Sequence, residues 1–246
     1  MAKISDIIEK LEKVAPLDTQ EEWDNSGWQI NLGIKNTKNI LLALNVTEDV
    51  VRQAISQNCD LIISHHPLIF SPIKCVKNKA IISAIQNKIQ VYSAHTNFDK
   101  SAVGTTQTLV DALKKSLELR SEKSINDFVK MATLKTPLNI DEFLSKVKTS
   151  LNLDYVKVSN PCNEVKTVAF CAGAGADFAY EVKQKGVDCF VTGDVKYHQA
   201  LDNGIMLVDI GHFESEIISL NSIKKLLENL DVNVILSKEE PVFEIV

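Results

Sequence analysis

The chain has 246 residues, 45% hydrophobic and 24% charged, with a net charge of −5. It is long enough to bury a good core as one large domain or two small interlocked ones. The acidic balance disfavours nucleic-acid binding through bulk electrostatics, no apolar run reaches the length of a membrane span, and charge at Lys3 and Asp6 comes too early for a signal peptide.

Taken in chain order, Ile4, Ile7, Ile8, Leu11 and Val14 share one helical face, with Ser5 as the cap and Pro16 as the stop. The segment 22–28 reads as a turn leading to a short strand. Segment 39–45 is an apolar run suited to a buried strand. Thr47 follows as an N-cap, Glu48 and Asp49 complement the helix dipole, and Val50, Val51, Ala54 and Ile55 form the buried face. Leu61-Ile62-Ile63 is the next buried strand and runs straight into a histidine pair. Strand, helix, strand is a βαβ unit with a parallel sheet.

The pattern recurs. Segment 168–172 reads as a strand, Gly173-Ala174-Gly175 as a tight turn, 177–185 as a helix and 186–192 as a strand. Segments 60–64 and 188–192 align, and each unit is followed by a further strand, 89–94 and 205–210. The fold class expected is therefore α/β: two related halves from an internal duplication, 1–125 and 126–246, packed as one unit with a site at the strand ends between them. Between the halves, 128–134 reads as a strand and Asn139 with Glu142 as a capping box for a helix over 140–151. An amphipathic helix (Ile217, Leu220, Ile223, Leu226, Leu227) and short strands at 232–236 and 242–246 close the chain.

Four of the five histidines fall in three short segments that also carry acids or a rigid turn: Ser64-His65-His66-Pro67, His95-Thr96-Asn97-Phe98-Asp99 and His212-Phe213-Glu214-Ser215-Glu216. Neutral imidazole and carboxylate together are the ligand set of a first-row divalent metal. Consecutive residues leaving a strand project differently, so His65 and His66 can serve two ions, while Pro67 stiffens the exit. The plainer alternative is a satisfied surface or core histidine pair. His95 reads either as a ligand or as a group that orients Asp99 or bonds substrate, and His198 as a proton donor or acceptor at the end of the duplicated strand. Trp23 and Trp28 read as core or subunit contacts. The five cysteines form no CxxC pair and suit free thiols in a reducing cytoplasm.

These motifs, with Trp23-Asp24-Asn25-Ser26-Gly27 and Thr192-Gly193-Asp194-Val195-Lys196-Tyr197-His198, resemble the GTP cyclohydrolase 1 type 2 homologues, also known as the NGG-interacting-factor-like family, over nearly the whole chain. The resemblance implies two divalent ions per chain, of zinc, iron or manganese. His65, Asp99 and Glu216 would serve one ion; His66, His212 and Glu216 would serve the other, with Glu216 bridging. It also implies a toroidal homohexamer. Asn45 departs from the pattern, standing where family members commonly have an acid, and the chain is the short form without an inserted central domain.

Two functions fit. One is a metal-dependent hydrolase acting on a nucleotide or related small molecule, with His95 and His198 as catalytic groups. The other is a non-enzymatic metal-handling or scaffold protein. Neither requires a membrane or a nucleic-acid partner.

Overall fold

The computed structural model describes residues 1–244. Two compact units emerge: Met1–Val103 joined by the segment from Leu220 onward, and Gly104–Ser219. The first boundary thus falls after Val103 rather than after 125. Strand pairing explains the return of the C-terminal segment, because Asn233–Leu236 lies parallel to Asn39–Ala43. The helix Leu220–Leu227 packs on that strand and on the Ile4–Glu12 helix.

The first unit carries a five-stranded sheet, in the order Asn233–Leu236, Asn39–Ala43, Leu61–Ser64, Gln90–Ser93 and Gly27–Ile30. The first four strands run parallel and the last is antiparallel. Leu61, Ile62 and Ile63 are all fully buried, as expected where both faces of a parallel sheet are covered. Each such side chain contributes roughly 1.5–3 kcal/mol of burial. Thr47 caps the Glu48–Ser56 helix by accepting from the Val50 amide at 3.2 Å. Ser5 does not cap its helix: Lys3 holds that position and the serine hydroxyl donates to Asp6 instead.

The second unit carries a six-stranded sheet, in the order Leu119–Ser124, Lys130–Asn139, Glu164–Phe170, Cys189–Thr192, Met206–Asp209 and Lys157–Ser159. Glu164–Phe170, Cys189–Thr192 and Met206–Asp209 run parallel. Their core is filled by Val168, Phe170, Cys189, Val191 and Val208 against Phe143 and Val147 of the Ile140–Leu151 helix. Asn139 caps that helix, accepting from the Glu142 amide at 2.9 Å.

Three of the first unit's four parallel strands, Asn39–Ala43, Leu61–Ser64 and Gln90–Ser93, thus have a counterpart in the three adjacent parallel strands of the second. The middle ones, Leu61–Ser64 and Cys189–Thr192, stand 128 residues apart in sequence at both ends (61 to 189, 64 to 192). Helices Lys79–Gln86 and Thr105–Lys114 and the strand Leu119–Ser124 occupy segments to which the sequence pattern assigns no element. The strand expected at 242–246 is absent over 242–244, and 245 and 246 lie outside the described residues. No helix among the described residues is long and apolar enough to cross a membrane.

Candidate metal centre

In the first unit the register Ser64↔Ser93 sets two strand ends side by side, and the two serine hydroxyls meet at 2.8 Å. The chain leaves these strands as His65-His66 and as Ala94-His95. Backbone bonds from the His65 amide to the Ala43 carbonyl and from the His66 amide to the Leu44 carbonyl, 3.0 and 2.9 Å, carry the sheet pairing on into the histidine pair. The ligand atoms of His65, His66 and His95 all lie within 4.8 Å of one another, so this cluster could hold a metal ion.

The hydrogen bonds decide which nitrogen each ring presents. His65 Nδ1 lies 2.9 Å from the Ala94 carbonyl, which can only accept, so Nδ1 carries the proton. Nε2 then offers its lone pair 3.5 Å from Asp99 Oδ1. In the neutral ring these two electron-rich atoms face one another at a separation that a cation would relieve. His66 Nδ1 lies 2.8 Å from the Asn45 amide oxygen, which leaves Nε2 as its lone-pair atom too.

His95 is held differently. Its Nδ1 lies 2.8 Å from Asp24 Oδ1. The same carboxylate accepts from the Asn25 amide at 2.7 Å, the Thr96 amide at 3.0 Å and the Thr96 hydroxyl at 2.5 Å. Burial alone would raise the Asp24 pKa, but the bonds from His95 and Thr96 and the nearby imidazole charge outweigh it and hold the carboxyl well below its usual range. Asp24 is thus an ionised acceptor that orients His95, a role absent from the sequence reading. Its placement in the Trp-Asp-Asn-Ser-Gly motif was the available signal. The Thr96–Asp99 helix turn, closed by the Asp99 amide on the His95 carbonyl at 3.0 Å, brings Asp99 back over His95.

Trp23 and Phe70 flank His95. Their ring centroids are 5.8 Å apart, and they lie 6.0 and 6.5 Å from the imidazole. They are 58% and 53% exposed, so Trp23 is no core residue; Trp28, also exposed, packs edge-on against Tyr92.

The second unit uses the same local device, a histidine and an acid four residues apart on a short helix, His212–Glu216. His212 Nε2 lies 3.0 Å from Glu216 Oε2 and its Nδ1 2.8 Å from Asp194 Oδ2. Burial disfavours the imidazolium, yet these two carboxylates prevail and raise the pKa to about 9. Carboxylates thus face both ring nitrogens of His212, an electron-rich setting that suits a cation. Glu216 is buried, and Gly173, with φ +67°, lies where a Cβ would overlap its Oε1. Gly193 permits a second close approach: a Cβ there would come within 2.8 Å of the Gly211 carbonyl and the His212 amide. His198 is exposed on the Tyr197–Asp202 helix, edge-on to Tyr197, and belongs to no cluster of metal-type donors among the described residues.

The family model for Duf34/NIF3 (NGG1p interacting factor 3) matches residues 2–241. The chain belongs to this family. Among its relatives, a Clostridium perfringens protein named GTP cyclohydrolase 1 type 2 homolog is 36% identical over 253 residues, covering 96% of this chain and 97% of its own. A Helicobacter pylori protein named GTP cyclohydrolase 1 type 2 is 34% identical over 224 residues, covering 88% of each. The crystal structure of a Staphylococcus aureus hypothetical protein superposes with a TM-score of 0.90 at 26% identity, covering 100% of this chain and 99% of that one. The Duf34/NIF3 assignment thus agrees with the α/β fold and with the resemblance carried by the histidine motifs.

Proposed function

We propose that this protein is a metal-dependent hydrolase that holds two divalent ions and acts on a nucleotide or related small molecule. The observation that carries the reading is the tautomer set: His65 and His66 both bond through Nδ1 and so present Nε2, the arrangement that ligating imidazoles adopt. His65, Asp99 and Glu216 would hold one ion, His66, His212 and Glu216 the other, with Glu216 shared. Zinc, iron or manganese suits imidazole better than magnesium does. When bound, such ions supply a water nucleophile at neutral pH and stabilise the charge that develops on oxygen.

The chain's own residues would do the rest. Asp24 accepts from His95 Nδ1, which directs His95 Nε2 toward the cluster as the proton donor or acceptor. The exposed faces of Trp23 and Phe70 beside it suit a flat ring, held by stacking worth about 1–3 kcal/mol. His198 would serve as a second proton carrier only with a substrate that reaches its exposed helix. The relatives named GTP cyclohydrolase 1 type 2 support a purine nucleotide as the first substrate to try.

The test is a turnover screen over nucleotides and phosphoesters with protein loaded with manganese, iron or zinc, using His66→Ala as control. Turnover that His66→Ala abolishes supports the reading. Retained metal without turnover on any of these classes favours storage, delivery or scaffolding instead. We further propose a closed homohexamer and a cytoplasmic site of action, the latter resting on cysteines that are all free thiols. Light scattering at micromolar concentration checks the assembly, and a monomer mass of 27.3 kDa rejects it.

A further inference from the structure

The inference rests on the proposed role of His66 as a metal ligand. A neutral histidine can ligate through Nε2 only while its single proton sits on Nδ1. That proton's partner is the Asn45 side-chain oxygen, at 2.8 Å. A carboxylate there would accept from either oxygen. An amide has two faces, and half a turn would offer the ring an NH2 group and favour the opposite tautomer.

Glu239 decides which face the ring meets. Its carboxylate can only accept, and four donors converge on it. The Leu44 amide and the Ser237 hydroxyl reach Oε1 at 2.8 and 2.5 Å, while the Asn45 amide and Asn45 Nδ2 reach Oε2 at 2.9 and 3.4 Å. With Nδ2 turned to Glu239, Oδ1 must face His66. Sheet register makes the meeting possible. Leu42 pairs with Leu236 on the neighbouring parallel strand, and the Ser237 amide donates to the Leu42 carbonyl at 2.8 Å. Asn45 and Glu239 therefore follow the carboxyl ends of neighbouring strands side by side, although they stand 194 positions apart in sequence.

We propose that Glu239 is a positioning residue of the metal centre: through Asn45 it holds His66 in the Nδ1-protonated tautomer and so keeps Nε2 for a divalent ion. Replacing it by glutamine puts a donor among four donors, so at least one contact must break. Asn45 then loses the partner that fixes its face. Adding Asn45→Asp removes the need for a fixed face, since aspartate accepts on both oxygens and can also accept from the new amide.

The experiment is magic-angle-spinning 15N spectroscopy of metal-free protein labelled at histidine, at pH 8, with His66 assigned through His66→Asn. Expected is a protonated Nδ1 and a bare Nε2 at His66 in the wild type. Glu239→Gln should populate the Nε2-protonated form and weaken zinc binding by about 10–100-fold, the usual consequence of losing a group that orients a ligand. Glu239→Gln with Asn45→Asp should restore the tautomer and most of the affinity. A wild-type His66 with its proton on Nε2 overturns the proposal, whatever the variants do. So does a folded Glu239→Gln protein with an unchanged tautomer, even if its zinc affinity falls, or a double variant no better than the single one. The expected tautomers in a protein that binds no zinc would leave the control by Glu239 standing and remove the metal reading alone.

Discussion

Gly173 and Glu216 approach so closely that a single added methyl on the glycine would occupy the space of the carboxylate oxygen. The glycine also holds φ +67°, a conformation that side-chain-bearing residues adopt at a cost. Gly173→Ala should therefore lose about 1–3 kcal/mol of stability. It should also displace Glu216. Denaturant unfolding reads the first effect, and metal content after reconstitution reads the second. An alanine variant with both unchanged would show that the turn has slack.

Glu216 and His212 should differ in what their loss removes. Glu216 is proposed to be shared, so Glu216→Ala leaves two cations repelling across a gap and should empty both positions. His212→Ala should mainly weaken one. Metal-to-protein ratios measured side by side decide it, and equal single-metal loss in both variants contradicts the sharing. Binding to the wild type should weaken as pH falls below about 9, the value to which its carboxylate neighbours raise His212, because imidazoles must be neutral to ligate.

Asp24→Asn should leave the metal content intact but cut turnover by roughly 10²–10⁴, the range for losing a positioned proton-transfer group. The asparagine can offer His95 an NH2 face and so reverse its tautomer. Kinetics on the loaded enzyme, with metal content measured on the same sample, separates this from ligand loss; loss of metal in step with activity would make Asp24 a support for the centre instead.

The strand ends and their histidines were legible because the chemistry is local: a buried apolar run, then His-His-Pro, then His and an acid four residues apart. The Thr47 and Asn139 caps were legible for the same reason. The unit boundary was not, since only the pairing of Asn233–Leu236 with Asn39–Ala43 reveals that the C-terminal segment returns. Glu239 was hidden likewise, as nothing near it in sequence points to a histidine at 66. Of the two readings of Trp23, core or subunit contact, its exposure beside Phe70 and His95 contradicts the first.

The thiols give a prediction independent of metal. Cys75 is exposed, whereas Cys59 and Cys189 are buried. Cys75 should react with a disulfide reagent at pH 8 in the native protein, and Cys59 and Cys189 only on unfolding. Burial, helped by the adjacent Asp60 charge, pushes the Cys59 pKa up to about 11 from an ordinary value of 9.0. The folded state thus holds this proton more tightly than the unfolded chain does. The stabilisation is complete below pH 9 and is lost as pH rises through 11. Between these limits the wild type should lose about 2 kcal/mol relative to Cys59→Ala. Urea unfolding across that range measures it, and parallel curves would contradict it.

Elemental analysis tests the central claim most directly. Protein purified without chelator, then reconstituted with manganese, iron or zinc and desalted, should carry two divalent ions per chain, with mixed identity before reconstitution. Metal no higher than trace on purification, and none retained on reconstitution, would contradict it.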